Sequence, residues 1–244
     1  MVNKLLIKSI IDKYYLGEVE SVKWVINDRK LSIDFTTQNK EVMGKILCHD
    51  FNLHNCELAI YDTKKLSSLL SITQGDLLLE TEQNRGIYTK LNISDLNFNV
   101  VYALADPLLI GKVGSVNEPK WDITIPILKE NVDNLVKAKS ALADVDNMVV
   151  STELDPNDIL MCKFSFGDEK GHNNKITYQM YGDIKVNSIK IPFNSNHFRN
   201  ILNSNKDMKT GTMCLSGEGL MKLIFINEET TSTYYIVRKA EDIW

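Results

Sequence analysis

An α+β chain of two similar domains is the fold that this sequence of 244 residues predicts. Three observations carry the prediction: a short pattern that occurs twice, an amphipathic helix ahead of each copy, and short alternating strands filling the rest. The pattern Tyr61-Asp62-Thr63-Lys64-Lys65-Leu66-Ser67-Ser68-Leu69-Leu70 returns 132 residues later as Phe193-Asn194-Ser195-Asn196-His197-Phe198-Arg199-Asn200-Ile201-Leu202. Each copy runs aromatic, acid or amide, hydroxyl, then apolar residues at helical spacing. Each follows an alternating apolar stretch, so each reads as a strand turning through an N-cap into a short amphipathic helix.

The first predicted helix covers 4–15, where Ile7, Ile10, Ile11 and Tyr14 form one apolar stripe and Lys4 and Lys8 stand on another face. No strand is expected before it. Strands follow at 21–26, 30–36 and 40–48, with Asn27-Asp28 as a hairpin turn, then at 57–60 before the repeated pattern. After the second helix the strands resume at 77–81, 86–90 and 97–103. The second half has a strand at 121–127 and a helix at 128–142 with the stripe Leu128, Val132, Leu135 and Val136. Ile7, Ile10 and Ile11 match Val132, Leu135 and Val136 at a constant offset, so the duplication extends beyond the repeated pattern. Strands are predicted at 147–153, 159–166, 175–181, 189–192, 211–216, 220–227 and 233–238. The domains are 1–106 and 120–244, joined by a connector at 107–119 that has prolines at both ends and two glycines. Its Leu108-Leu109-Ile110 run is too apolar for a free linker and is expected to pack.

Composition narrows the function classes. A 43% hydrophobic and 25% charged chain is ordinary for a globular protein. A net charge of -4 argues against a protein that holds nucleic acid by being basic all over, yet leaves room for a basic surface on an acidic body. There is no long apolar run, and lysines break the apolar residues of the first eight, so neither a signal peptide nor a membrane span is expected. Four cysteines without framework spacing point to buried thiols and a cytoplasmic protein.

Two constellations look chemical. Cys48, His49, His54 and Cys56 carry the donor types of a zinc site, but adjacent Cys48 and His49 do not fit the usual two-pair spacing. Asp155, Asp158, Asp168 and Glu169 with His172 carry the oxygen donors of a magnesium-dependent phosphodiesterase. Their neighbours Pro156, Asn157, Gly167 and Gly171 are those of ordinary turns. No glycine-rich phosphate loop, nucleophile elbow or His-Glu-x-x-His is present. A non-enzyme without metal or cofactor is expected; the phosphodiesterase and a non-ring binding or structural module stay open.

The order of these elements resembles the DNA polymerase sliding clamps, most closely the trimeric processivity clamp of T-even-like bacteriophages. The resemblance rests on Glu57-Leu58-Ala59-Ile60-Tyr61-Asp62 with Leu66, Leu69 and Leu70, the connector from Ala105-Asp106, Asn134-Leu135-Val136, and Tyr234-Tyr235-Ile236-Val237. It implies two helices per domain backed by strands, and three subunits closed head to tail around duplex DNA. It also implies a polymerase, a clamp loader and in some relatives transcription factors as partners. Helix counting agrees: twelve helices about 10 Å apart make a circle about 38 Å across. Subtracting a helix diameter of about 10 Å leaves a hole of about 28 Å, enough for a duplex. The expected DNA-facing residues are Lys4, Lys8, Lys64, Lys65, Lys129, Lys137, Arg199 and Lys206, with the small polar Ser68, Ser71, Asn196, Asn200 and Asn203 between them. Asp12, Glu130 and Asp133 oppose this lining on the same helices. The resemblance also implies an outer pocket for partner peptides, placed by position at Leu108, Leu109, Ile110, Ile243 and Trp244.

Overall fold

A computed structural model describes residues 1–167 and 174–240. The chain divides into two compact units. The first comprises Met1–Gln38, Met43–Ser115 and Glu228–Ser232, the second Asn39–Val42, Val116–Asn227 and Thr233–Trp244. Every pairing described below is antiparallel.

The first unit opens with β1 (Val2–Asn3) and α1 (Lys4–Tyr15), followed by β2 (Val22–Asn27), β3 (Lys30–Thr36), β4 (Val42–Cys48) and β5 (Cys56–Ile60). Next come α2 (Thr63–Ser71), β6 (Asp76–Asn84), β7 (Ile87–Ser94), β8 (Asn99–Ala103) and a 3-10 turn at Pro107–Leu109. One sheet is ordered β1-β6-β7-β8, and the other runs β4-β3-β2-β5. Contrary to expectation a strand does precede α1: Val2 pairs with Leu77 and Asn3 with Asp76. Two residues are too few for periodicity to show, and the long β6 recruits them. The first hairpin turn is one residue later than expected. Asn27 and Lys30 close the ladder, and Asp28 and Arg29 both take positive φ, 48° and 61°, as a two-residue turn matched to strand twist requires. Asn55 Oδ1 accepts from the Asp28 N–H at 2.9 Å, and Asp50 grips Arg29 through two bonds of 2.8 and 3.1 Å. Such partners hold a conformation that these side chains alone would not favour.

The second unit contains β9 (Ile123–Ile127), α3 (Lys129–Ala141), β10 (Asn147–Leu154), β11 (Leu160–Gly167), β12 (Lys175–Met180) and β13 (Asp183–Ile184). It continues through β14 (Lys190–Asn194), α4 (Ser195–Ser204), β15 (Thr210–Leu215), β16 (Leu220–Ile226) and β17 (Thr230–Val237). Its sheets are ordered β12-β11-β10-β14 and β13-β9-β15-β16-β17. The α+β duplicated architecture is therefore the one predicted, with two helices per unit backed by antiparallel strands.

Alternation along the strands builds each core. In the first unit Trp24 meets Phe51 edge-on at 6.0 Å, and Ile7, Ile10, Ile11 and Tyr14 are all buried against the unit's interior. In the second, Phe164 of β11 stacks on Phe198 of α4 at 5.9 Å. At about 25 cal/mol per Å² of apolar surface, such side chains supply most of the folding free energy.

Most sheet ends are covered. Ala105 N–H donates to Ala59 O outside β5 at 3.0 Å, and Lys239 N–H to Pro192 O outside β14 at 2.9 Å. Within the first unit His49 N–H, just past β4, donates to Glu229 O, and within the second Val237 N–H on β17 donates to Glu41 O, at 2.9 and 3.0 Å. β1 and β13 have two residues each. Among the described residues, β8 and β12 are the longer strands left with an unpaired outer backbone row.

Candidate nucleic-acid interface and partner cleft

The repeated pattern fixes where α2 and α4 begin. Asp62 caps α2, its Oδ1 accepting from Lys65 N–H at 2.7 Å. Asn194 caps α4, its Oδ1 accepting from Asn196 and His197 N–H at 3.0 and 3.3 Å. The hydroxyl that follows is buried in both copies and ties the helix to the segment after its partner helix. Thr63 Oγ1 donates to Glu20 O at 2.9 Å, and Ser195 Oγ donates to Val145 O at 2.7 Å. The backbone repeats the tie, Thr63 N–H to Glu20 O and Ser195 N–H to Asp146 O. In this way α1 is held beside α2, and α3 beside α4.

The expected lining residues do not behave alike. Lys8, Lys64, Lys65, Lys129, Lys137 and Lys206 have exposed side chains. Lys4 is half-buried; its ammonium donates to Ser71 O at 3.1 Å and to Thr73 O. It therefore sits on the carbonyl end of α2, where a cation is stabilised by the helix dipole. Arg199 is also half-buried, with Nη2 donating to Asn200 Oδ1 at 3.3 Å. Asp12 and Glu130 are exposed and Asp133 half-buried, so acids do interrupt the cationic face. Asn196, placed among the small polar residues, donates its amide to Asp146 Oδ1 at 2.7 Å.

Two further helix lysines, outside the expected lining, are buried. Lys13 Nζ bonds Ser9 Oγ at 2.9 Å, and Lys139 Nζ donates to Leu142 O and Ala143 O at 3.2 and 2.9 Å. Burial first, and then the nearby Arg199 guanidinium, hold the Lys139 ammonium below its usual pKa, while Asp146 and Asp144 act the other way. Hydropathy assigns every lysine to water, whereas a four-carbon stem can cross a core to reach carbonyls.

The connector is split by exposure. Leu108 and Leu109 are 90% and 78% exposed, and Ile110 is 8% exposed. The expectation that the whole run packs therefore holds for Ile110 alone, since the 3-10 turn points the two leucines outward. Ile110, Gly111, Lys112 and Val113 form one wall of a cleft of about 390 Å³, opposite Lys23, Val25 and Phe35 of β2 and β3. Val25 was the missed signal: β2 buries Val22, Trp24 and Ile26 on one face and carries Val25 on the other, an apolar residue where alternation calls for a polar one. Ile243 and Trp244 lie outside the described residues.

The chemical constellations are distributed in ordinary ways. His49 Nε2 pairs with Thr231 Oγ1 and His54 Nε2 with Thr81 Oγ1, each at 3.1 Å. Burial pushes the Cys48 and Cys56 thiols up to about 11, so neither is primed as a thiolate ligand. Asp155 accepts from the N–H groups of Asn157 and Ile159 at 2.8 and 2.9 Å, which is the bonding of a turn. Asp168, Glu169 and His172 lie outside the described residues. Among the described residues no group of three His, Cys, Asp or Glu side chains could hold a metal ion.

The proliferating cellular nuclear antigen of Entamoeba histolytica matches 98% of this chain and 96% of its own, with a TM-score of 0.75 at 14% identity. This chain has the sliding-clamp fold. A chain of the PCNA2-PCNA3 complex from Sulfolobus tokodaii is similar over 98% of both chains, with a TM-score of 0.75 at 13% identity. The A. fulgidus PCNA bound to the C-terminal region of FEN-1 is similar over 99% of this chain and 98% of that one, with a TM-score of 0.76 at 12% identity. No protein-family model and no curated protein sequence matches the chain. The clamp likeness is thus one of architecture, spanning both units from end to end.

Proposed function

We propose that the chain is a DNA polymerase processivity factor of the T-even-like phage type, a non-catalytic homotrimeric ring. It encircles duplex DNA, slides without sequence specificity, and tethers a polymerase, with a clamp loader and transcription factors as further partners. The observation that carries this reading is the pair of unpaired sheet edges, β8 in one unit and β12 in the other, within a clamp fold. Two different edges on one chain favour head-to-tail addition, which closes into a ring when the rotation allows. The six exposed lysines on or beside the helices supply loose, sequence-independent contact with phosphates. A cleft beside the connector, with Val25, Phe35, Ile110 and Val113 among polar neighbours, suits a short hydrophobic motif from a partner; the A. fulgidus PCNA bound to the C-terminal region of FEN-1 supports peptide docking as a use of this fold. Light scattering at micromolar protein tests the assembly. Three times 27.8 kDa is expected, and a monomer or dimer that persists on concentration contradicts the ring.

A further inference from the structure

Met1, the start of β6 and the β7–β8 turn enclose a cavity of about 630 Å³ within the first unit. Met1, Leu78 and Leu96 line it together with Asp76 and Asp95, and Phe98 ends the same turn. All four apolar side chains are exposed, Leu96 fully so. Turns ordinarily carry polar residues or glycine. Single exposed apolar residues are common, whereas four gathered about one concavity mark a docking surface. The duplication supplies an internal control. In the second unit the β16–β17 turn, equivalent in the order of elements, reads Asn227-Glu228-Glu229, and Asn227 Nδ2 donates to Asp207 Oδ2 at 2.8 Å. Polar side chains suffice for this turn, so folding alone does not call for a leucine at its tip.

Asp95 makes the turn rigid. Its N–H donates to Phe98 O at 3.0 Å, and its carboxylate accepts from the N–H groups of Gln74, Asn97 and Phe98 at 2.6, 2.7 and 2.7 Å. The β7–β8 turn is thereby tied to the α2–β6 segment, and Leu96 is held in place before any partner arrives, which lowers the ordering cost of binding. The N–H of Asn97 and then that of Phe98 hold the Asp95 carboxyl below its ordinary value of 3.8, so it stays ionised. Lys4 also acts on it, but the Lys4 ammonium is committed to the Ser71 and Thr73 carbonyls. Asp76 Oδ1 accepts from the neutral Asn3 amide at 3.1 Å. Among the described residues, every charge lining the cavity is therefore negative, whereas the connector cleft sets Lys23 and Lys112 against Asp34.

We propose that this cavity is a second docking site for partner proteins, taking a short segment in which large apolar side chains are flanked by Lys or Arg. The apolar side chains fill the concavity against Leu78 and Leu96, and the flanking cation meets Asp76 and Asp95. The same two acids repel an acidic motif, so the charge of the site selects the partner. Because the connector cleft is of mixed sign, the two sites prefer different motifs and one subunit can hold two partners together. The site lies wholly within the first unit and does not depend on ring closure.

A library of random short peptides displayed on phage, selected on the full-length parent protein, tests this. The clones recovered should include a class with large apolar residues next to Lys or Arg. By fluorescence anisotropy, a labelled peptide of that class should bind the parent and a Val25→Asp variant of the connector cleft alike. It should bind Leu96→Asp about tenfold or more weakly, as loss of an apolar anchor requires. Leu96 is fully exposed, so that variant should keep its circular dichroism. Asp76→Asn, which retains an acceptor for Asn3, should weaken binding at low salt and leave it nearly unchanged at high salt, where the charge is screened. If no peptide is recovered, or none loses affinity in Leu96→Asp, the site is refuted. A recovered class that is acidic refutes the assigned partner chemistry, and affinity lost in Val25→Asp instead places the peptide in the connector cleft and sinks the proposal. If Leu96→Asp lowers the mass found by light scattering, the cavity holds a second copy of this chain and the proposal fails. None of these peptide results bears on the ring, and a parent protein that stays monomeric would remove the ring reading while leaving this test in force.

Discussion

At the residue scale the clearest device is the buried hydroxyl that follows each helix cap. Ser195 Oγ is the side-chain donor to Val145 O, and an orphaned buried acceptor costs about 1 to 3 kcal/mol. Ser195→Ala should therefore lower unfolding stability by about that much in urea titration, with an unchanged m-value. These hydroxyls were legible because the sequence repeats them at matched positions. Lys13 and Lys139 were not, because burial of a lysine depends on which carbonyls its tip can reach. A second cluster was equally hidden: Glu118 Oε1 accepts from Lys222 Nζ and from Tyr235 OH, each at 2.5 Å. The Lys222 ammonium and then the Tyr235 hydroxyl hold the Glu118 carboxyl below its ordinary value of 4.5. A depressed folded pKa stabilises the fold above the unfolded value and is lost as pH falls through the folded one. The stability gap between the parent and Glu118→Gln should thus be present at neutral pH and shrink below about pH 4.5, as read by thermal unfolding; a gap constant down to pH 3 would dismiss the ionic contribution.

At the scale of elements, each helix is amphipathic, α1, α2 and α4 start at a side-chain cap, and the limits expected for α1 and α3 were readable to within a residue. The strands were readable as strands but not as partners, because pairing joins residues far apart in sequence, as Asn147 with Asn194 and Val22 with Ile60. β1 and β13 escaped notice because two residues are too few to show a period. The helix surfaces carry the proposed function, and the structure sorts their cations. Lys4 serves the end of α2, whereas Lys8, Lys64 and Lys137 face solvent. Lys8→Glu, Lys64→Glu and Lys137→Glu combined should leave the helical circular dichroism and the trimer unchanged while weakening retention on DNA. The log-log salt slope of binding should flatten by roughly one unit for each phosphate that is no longer neutralised. Lys4→Met, by contrast, should cost about 0.3 to 1 kcal/mol of stability through the helix end, a difference that separates the two kinds of lysine.

For the whole molecule, the duplication was visible in the sequence, and so was the number of helices that a ring would need. The free edges were not visible, since β8 and β12 read no differently from strands whose outer backbone is covered by Ala105 or Lys239. Charge distribution was legible only in part: the first unit's helices expose Lys8, Lys64 and Lys65 against Asp12, and the second's expose Lys129 and Lys137 against Glu130. A protein that binds DNA by such scattered lysines is held weakly at physiological salt unless topology holds it. Topology is therefore the central claim, and one measurement addresses it directly. Protein closed on a nicked circular duplex is washed at moderate salt, and the fraction retained is compared before and after a single cut linearises the circle. Encirclement predicts retention on the circle and rapid release once ends exist; equal retention on circle and line would contradict it.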